Sequence, residues 1–230
     1  VTYDVILLNY RRPENIPALV AIMRRQDPAP RHVLVWHNAP EGASGDFGTR
    51  DVYSRHNWGC QARHALGLLS GSESLVFVDD DVLPTCAQFA APLLAALQQY
   101  PEAVVGPECR RLQGCGPEMY WGKDAARYSH AQGPVSVVKG KIHACRRELL
   151  ALPFARALPE EIRAEDDIVL CAATQEVADV PSRCVAGMRA FYRNLSDDRG
   201  NERRPDHFER RNRACRYMAS MGWDVTLWKR

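Results

Sequence analysis

Three features of the 230-residue chain predict an α/β protein with an open, mostly parallel sheet flanked by helices. Short apolar runs rich in β-branched residues, suited to buried strands, alternate with segments of helical spacing. Those runs close on polar residues: Asn9 after the first, Asn38 after the second, and Asp79-Asp80-Asp81 after a later one. In open α/β sheets ligands bind outside the carboxyl ends of the strands, so these residues mark a candidate site. A composition of 46% hydrophobic and 25% charged residues is that of an ordinary globular chain, long enough to bury one large core. The formal net charge of +2 gives no reason to expect a nucleic-acid partner, and no apolar segment approaches the length of a membrane span.

Taken in order, Tyr3 to Leu8 is a strand closing on Asn9-Tyr10-Arg11-Arg12-Pro13. A helix from about Glu14 to Arg25 follows, with Pro13 in its first turn, Ile16, Leu19, Val20 and Met23 at helical spacing, and Asp27-Pro28 as its stop. His32 to Trp36 is the second strand and ends on His37-Asn38. A short extended piece, Val52 to His56, leads through Asn57-Trp58-Gly59 into a helix from Cys60 to Leu69. Leu75 to Val78 is the next strand, and a helix from about Cys86 to Gln99 and a strand over Val104 to Pro107 come after it. Glu108 to Gly133 reads as an irregular loop, with Tyr120 and Trp121 offering aromatic faces either to a ligand or to the core. Ile168 to Ala173 reads as helix behind Glu165-Asp166-Asp167. Asn194 to Asp206 is a polar loop, and Phe208 to Met221 a last helix with Cys215, Met218 and Ala219 inward.

Three consecutive carboxylates at a strand end are costly to pack unless water, a cation or hydrogen-bond donors share the place, which points to a divalent metal. Alternation along an extended chain sends Asp79 and Asp81 to one side and Asp80 to the other. The alternative is a solvated turn in which Asp81 caps a helix beginning near Pro84. Glu165-Asp166-Asp167 has its own plain alternative, since acids at a helix N-terminus are favoured by the helix dipole. The eight cysteines are scattered without zinc spacing; Cys109 and Cys115 are close enough in sequence to bridge in an oxidising compartment, which stays open. The chain runs from Val1 directly into a strand, so the reading expects no signal peptide or anchor and a cytoplasmic location, with membrane association and oligomeric state left open.

The run Asn57-Trp58-Gly59-Cys60-Gln61-Ala62-Arg63-His64-Ala65-Leu66-Gly67-Leu68, followed by Phe77-Val78-Asp79-Asp80-Asp81, resembles the nucleotide-sugar half of GT-A glycosyltransferases, of the family 2-like or exostosin-like kind. An Asn-x-Gly, a helix carrying Ala-Arg and Gly-Leu, and a strand ending in Asp-x-Asp occur there in this order. Gly140 with Arg146-Arg147-Glu148-Leu149, for which the resemblance implies a helix, and then Glu165-Asp166-Asp167, continue the likeness; Asp166-Asp167-Ile168-Val169-Leu170 and the later Arg210 to Cys215 resemble the exostosin-like form, from which Cys171 departs where that group has Asn.

The resemblance implies a single GT-A domain, residues 1–105 binding the nucleotide-sugar and 106–230 the acceptor. It implies transfer of a sugar, hexosyl or N-acetylhexosaminyl, from a nucleotide diphosphate-sugar, UDP-sugar first, to a saccharide or other hydroxyl acceptor, with Mn²⁺ or Mg²⁺ bridging the phosphates. Asp81 is then the direct metal ligand, Asp79 contacts the ribose or a metal-bound water, and His207 completes the metal shell. Asn9, Tyr10 and Arg11 hold base and phosphates, with Asn38, Asn57, Arg63 and Asp80 nearby. Gly140 lets the backbone approach the donor sugar, and Arg199, Arg203 or Arg204 clamp the pyrophosphate. Glu165, Asp166 and Asp167 form the catalytic cluster: in inverting members such a carboxylate takes the acceptor proton, and in retaining exostosin-like members a similar turn lies near the anomeric carbon, so stereochemistry is open. The rivals are a metal-dependent nucleotidyltransferase, which would usually show a Gly-rich loop with Lys after the first strand, and a binding module of the same fold without turnover.

Overall fold

A computed structural model describes residues 2–38, 50–114, 116–120, 127–129, 132–195 and 204–230. Its first half is the expected alternation: β1 (Tyr3–Asn9), α1 (Ile16–Arg24), β2 (His32–Asn38), β3 (Arg50–Ser54), α2 (Ala62–Leu68) and β4 (Ser74–Asp79). Then come β5 (Val82–Pro84), α3 (Ala91–Gln99), β6 (Val105–Gly106), β7 (Cys109–Arg111), β8 (Arg127–Ser129), β9 (Gly133–Val135), β10 (Val137–Val138) and β11 (Ile142–Arg146). The chain closes with α4 (Ala151–Phe154), α5 (Glu160–Arg163), α6 (Asp166–Ala178), β12 (Ser182–Cys184), β13 (Tyr192–Asn194) and α7 (His207–Ser220).

The central eight-stranded sheet runs β3-β2-β1-β4-β11-β6-β12-β9. Its first four strands are parallel, with Val5 opposite both Val33 and Val76, so their carboxyl ends open on one edge. Every residue of β1 is buried, because helices cover both faces of the sheet. Period-two alternation divides the strands between two cores: Val5, Leu7, Val76 and Val78 pack with Leu19, Met23 and Leu93 of α1 and α3, while Ile6, Leu75 and Phe77 pack with Leu66 of α2 and Ile168 of α6.

Two expected helices differ. The stretch from Val82 to Pro84 is a strand, because it finds an antiparallel partner in Tyr192–Asn194. The helix therefore starts only at Ala91, where Gln26 accepts the Ala90 N–H (3.2 Å), and Asp81 caps nothing. The Arg146 to Leu149 segment is the end of β11 followed by a 3-10 turn over Arg147–Leu150. Strand β11 lies antiparallel between β4 and β6 and takes Arg146, opposite Ser74, as its last residue, so the helical turn begins one residue later than expected. The loop expected over Glu108 to Gly133 contains β7 and β8, which form a small sheet with β10. Trp121, Cys115 and the Pro40 to Gly48 stretch lie outside the described residues; Cys109 is buried and free. Among the described residues no helix is long and apolar enough to cross a membrane.

Gly106 sits where β6 passes between β11 and β12, and a Cβ there would lie 2.6 Å from the Ile142 carbonyl oxygen and 2.5 Å from Val138 Cγ1. Because one clash is with backbone, Gly106→Ala is expected to lower stability by about 1–3 kcal/mol in urea unfolding, the usual cost of overpacking.

Candidate functional site

The carboxyl ends of β1, β2 and β4 open into a cleft of about 680 Å³, closed on its far side by Gly140, the start of α6 and the start of α7. Asp79, Asp80 and Asp81 form its floor, at the end of β4 and in the turn that follows. The three diverge, much as alternation suggests. Asp80 turns towards the β1 loop, accepting the Tyr10 N–H (2.7 Å) and an Arg12 N–H (2.8 Å), while its carbonyl accepts from Asn15 (2.8 Å). Asp79 pairs with Arg63, and Asp81 pairs with the Lys141 ammonium at 3.3 Å. The second oxygen of Asp81, Oδ1, is buried and has no hydrogen-bond partner among the described residues.

Arg63 enters from α2 and is 4% exposed. Its Nε donates to its own helix start at the Cys60 carbonyl (3.1 Å) and lies 2.9 Å from Asp166 Oδ2; Nη1 donates to Asp79 and to the Gly140 carbonyl (2.7 Å). Gly140 leaves room for this contact, since a Cβ there would stand 3.2 Å from the Arg63 guanidinium. Burial would strip Arg63 of its charge, but Asp166 and Asp79 hold the proton on.

At the N-terminus of α6 the acids are equally engaged. Asp167 accepts the Gly140 N–H (3.0 Å), the Ile168 N–H (2.9 Å) and Arg211 (2.7 Å); Glu165 pairs with Arg210 (2.7 Å) and Arg211 (3.0 Å). These environments separate two neighbouring carboxyls. Burial pushes Asp166 up to about 6, against the pull of Arg63. Burial pushes Asp167 up too, but Arg211 and the Gly140 N–H outweigh it and hold it down at about 2. On the floor, burial raises Asp80 to about 6 even though Tyr10 N–H and Arg12 oppose it.

Of the remaining residues expected at the site, Tyr10, Asn57, Asn38, Arg204 and His207 line the cleft, as do Gly140 and the six acids already described. Asn38 works on the chain itself: its side chain donates to Asn57 (2.8 Å) and the Gly59 carbonyl (3.1 Å) and accepts the Trp58 N–H (2.7 Å), which shapes the turn through Gly59, φ +70°. Asn9 is buried against His37 Nδ1 at 2.9 Å, and Arg11, at φ +65°, lies over the Tyr10 ring; neither is among the described residues lining the cleft. Tyr120 is 1% exposed and packed under the Arg211 guanidinium, 4.3 Å from its ring centre, so it is wall rather than open platform. Arg199 and Arg203 lie outside the described residues. Sequence reasoning gave no role to Arg12, Lys141 or Arg211. For Arg211 a signal existed: Arg211, Ala214, Cys215 and Met218 recur at helical spacing and are all buried, which puts the arginine on the inward face of α7.

Solved structures share this architecture at low sequence identity. S. aureus TarS 1-349 in complex with UDP matches with a TM-score of 0.57 and 16% identity over 84% of the chain and 60% of its own. A crystal structure of S. aureus TarS matches at 0.62 and 14% identity, over 97% of the chain and 40% of its own length. The mannosyltransferase PcManGT from Pyrobaculum calidifontis, in complex with GDP-Man and Mn²⁺, matches at 0.59 and 18% identity over 94% and 69%. The chain thus spans only 60% and 40% of the two TarS structures. No protein-family model and no curated protein sequence matches it. The fold is that of the GT-A-like nucleotide-sugar glycosyltransferases.

Two measurements test the electrostatics of the site. Removing the buried guanidinium in Arg63→Met leaves Asp79 and Asp166 without their shared counter-charge and is expected to cost about 3–5 kcal/mol in chemical denaturation. The Asp166 carboxyl is raised from its ordinary 3.8 to about 6, so between those values the folded chain keeps a proton that the unfolded chain has released. Its contribution makes stability fall as pH rises through that window. Thermal unfolding from pH 3.5 to 7.5 should therefore show a flatter profile between about pH 4 and 6 for Asp166→Asn than for the unaltered protein.

Proposed function

We propose that the chain is a metal-dependent glycosyltransferase that moves a sugar from a nucleotide diphosphate-sugar, a UDP-sugar first, to an acceptor hydroxyl. The observation that carries the reading is the convergence of two acidic clusters, 85 residues apart by the numbers of Asp81 and Asp166, on one cleft at the carboxyl ends of parallel strands. The likeness to structures holding UDP, or GDP-Man with Mn²⁺, supports it.

The residues suit a divalent ion of the kind that small, hard cations prefer. Among the described residues no three His, Cys, Asp or Glu side chains form a cage, and Asp81 presents a buried, unpartnered oxygen. Mg²⁺-type sites commonly use one or two carboxylates and leave the rest to water and substrate phosphates. When bound, such an ion would stabilise the charge that collects on the diphosphate as it leaves. Asp81 holds it in this reading, with Asp79 on a ribose hydroxyl or metal-bound water and His207 as a further ligand from the start of α7. Tyr10 and Asn57 lie on the nucleotide side, and Arg204 on the phosphate side.

Of the three acids opposite, Asp166 is assigned as the base. Its pKa near 6 suits proton transfer near neutrality, whereas Asp167 is locked and acidic and Glu165 is taken by two arginines. In an inverting course the acceptor hydroxyl gives its proton to Asp166 as its oxygen bonds to the anomeric carbon. The bond from that carbon to the phosphate oxygen breaks at the same time, and the nucleotide diphosphate leaves with the electron pair.

Calorimetric titration of UDP and GDP, first with Mn²⁺ and then with chelator, tests the donor site. One nucleotide is expected to bind in a metal-dependent way, with Asp81→Ala abolishing that dependence. Failure of both nucleotides under both conditions would remove the donor reading.

A further inference from the structure

The floor of the cleft is already balanced by the chain's own cations. Arg63 meets Asp79, Arg12 meets Asp80, and Lys141 meets Asp81 with a second Arg12 nitrogen 3.9 Å away. The three cations are not held alike. Arg63 is tied to Cys60, Gly140 and Asp166 besides Asp79, and it is 4% exposed. Arg12 bonds Asp80 at 2.8 Å with its side chain 7% exposed. Lys141 stands 3.3 Å from Asp81, its side chain is 16% exposed, and a flexible stem carries its charge as a compact ammonium. Its backbone is fixed, since its carbonyl accepts the Asp79 N–H (3.0 Å) where β11 joins the sheet. The side chain can therefore swing while its anchor stays beside the acids.

We infer that Lys141 occupies the cation place at Asp81 in the ligand-free protein and yields it to a divalent ion, its ammonium then moving to the donor diphosphate. The inference rests on the donor-site reading above. Two carboxylate oxygens of Asp81 face different fates: Oδ2 carries Lys141, and Oδ1 is the buried oxygen without a partner. A divalent ion arriving at Oδ1 meets an ammonium one carboxylate away, and two cations sharing a single carboxylate repel. Metal alone is thereby held off. A nucleotide diphosphate removes the repulsion, because its oxygens give the displaced ammonium a new acceptor and give the metal further ligands. Lys141 thus couples the two ligands: each binds better when the other is present, by the same factor.

The test is calorimetric and needs no turnover. Mn²⁺ alone is titrated into the unaltered protein, Lys141→Met and Lys141→Arg, and UDP and GDP are titrated into each with chelator present. Lys141→Met, which keeps most of the stem and loses the charge, is expected to bind Mn²⁺ alone about tenfold more tightly and the nucleotide diphosphate several-fold less tightly, while Lys141→Arg stays near the unaltered protein. An Mn²⁺ affinity in Lys141→Met equal to or below that of the unaltered protein overturns the inference. Absence of Mn²⁺ binding in all three overturns it as well, and nucleotide binding in chelator would then leave the donor site standing on its own. Should Lys141→Met not fold, Lys141→Gln removes the same charge and carries the same expectation.

Discussion

One buried guanidinium bridges the two acidic walls of this cleft. Arg63 joins its own helix start, the end of β4 through Asp79, the approach to β11 through the Gly140 carbonyl and the start of α6 through Asp166. Such a charge is tolerable inside a protein only when its donors are matched by fixed acceptors, and the planar fork of arginine supplies them in a geometry that lysine's single point cannot. The acids of the floor and the acids of α6 are therefore tied through one side chain, alongside the Asp167 bond from the Gly140 N–H. Gly140 belongs to the same device, because a Cβ there would stand 3.2 Å from the guanidinium, a tight contact.

A second arginine completes the enclosure. Arg211 reaches from α7 to Asp167 and Glu165 and lies across Tyr120, whose backbone N–H is in turn held by Asn212 at 2.7 Å. The C-terminal helix is thus fastened to α6 through charge and an aromatic face. The consequence for chemistry is a division of labour between adjacent residues. Asp167 faces Arg211 and a backbone donor and is held acidic, whereas Asp166, buried with Arg63 as its counter-charge, is raised towards neutrality. Environments that push neighbouring carboxyls apart in this way give them different protonation behaviour.

Elements whose signal is local were readable along the chain. In β1 and β4 the apolar runs are buried from end to end and in that of β2 only Trp36 is half-buried, in α1 the spacing of Ile16, Leu19, Val20 and Met23 is the buried face itself, and the acids at the start of α6 sit at its first turn. Elements that exist only because a distant partner completes them were not. Val82–Pro84 is strand through Tyr192–Asn194, 110 positions on, and α3 begins at Ala91 because Gln26 reaches its N-terminus. Arg146 ends strand β11 because its ladder with β4 reaches Ser74, so the helical turn expected from Arg146 starts at Arg147.

The same boundary runs through the site. The sequence alone determined which acids would be set apart and that they would stand at element ends: carboxylates are so strongly hydrated that a run of them after an apolar strand, or before an apolar helix, can only mark a place open to water, cations or donors. The tertiary structure alone decided what neutralises each one. Arg63, Arg12, Lys141 and Arg211 come to Asp79, Asp80, Asp81 and Asp167 from 16, 68, 60 and 44 residues away. Electrostatic partners are chosen by distance through space and by burial, and neither is set by spacing along the chain.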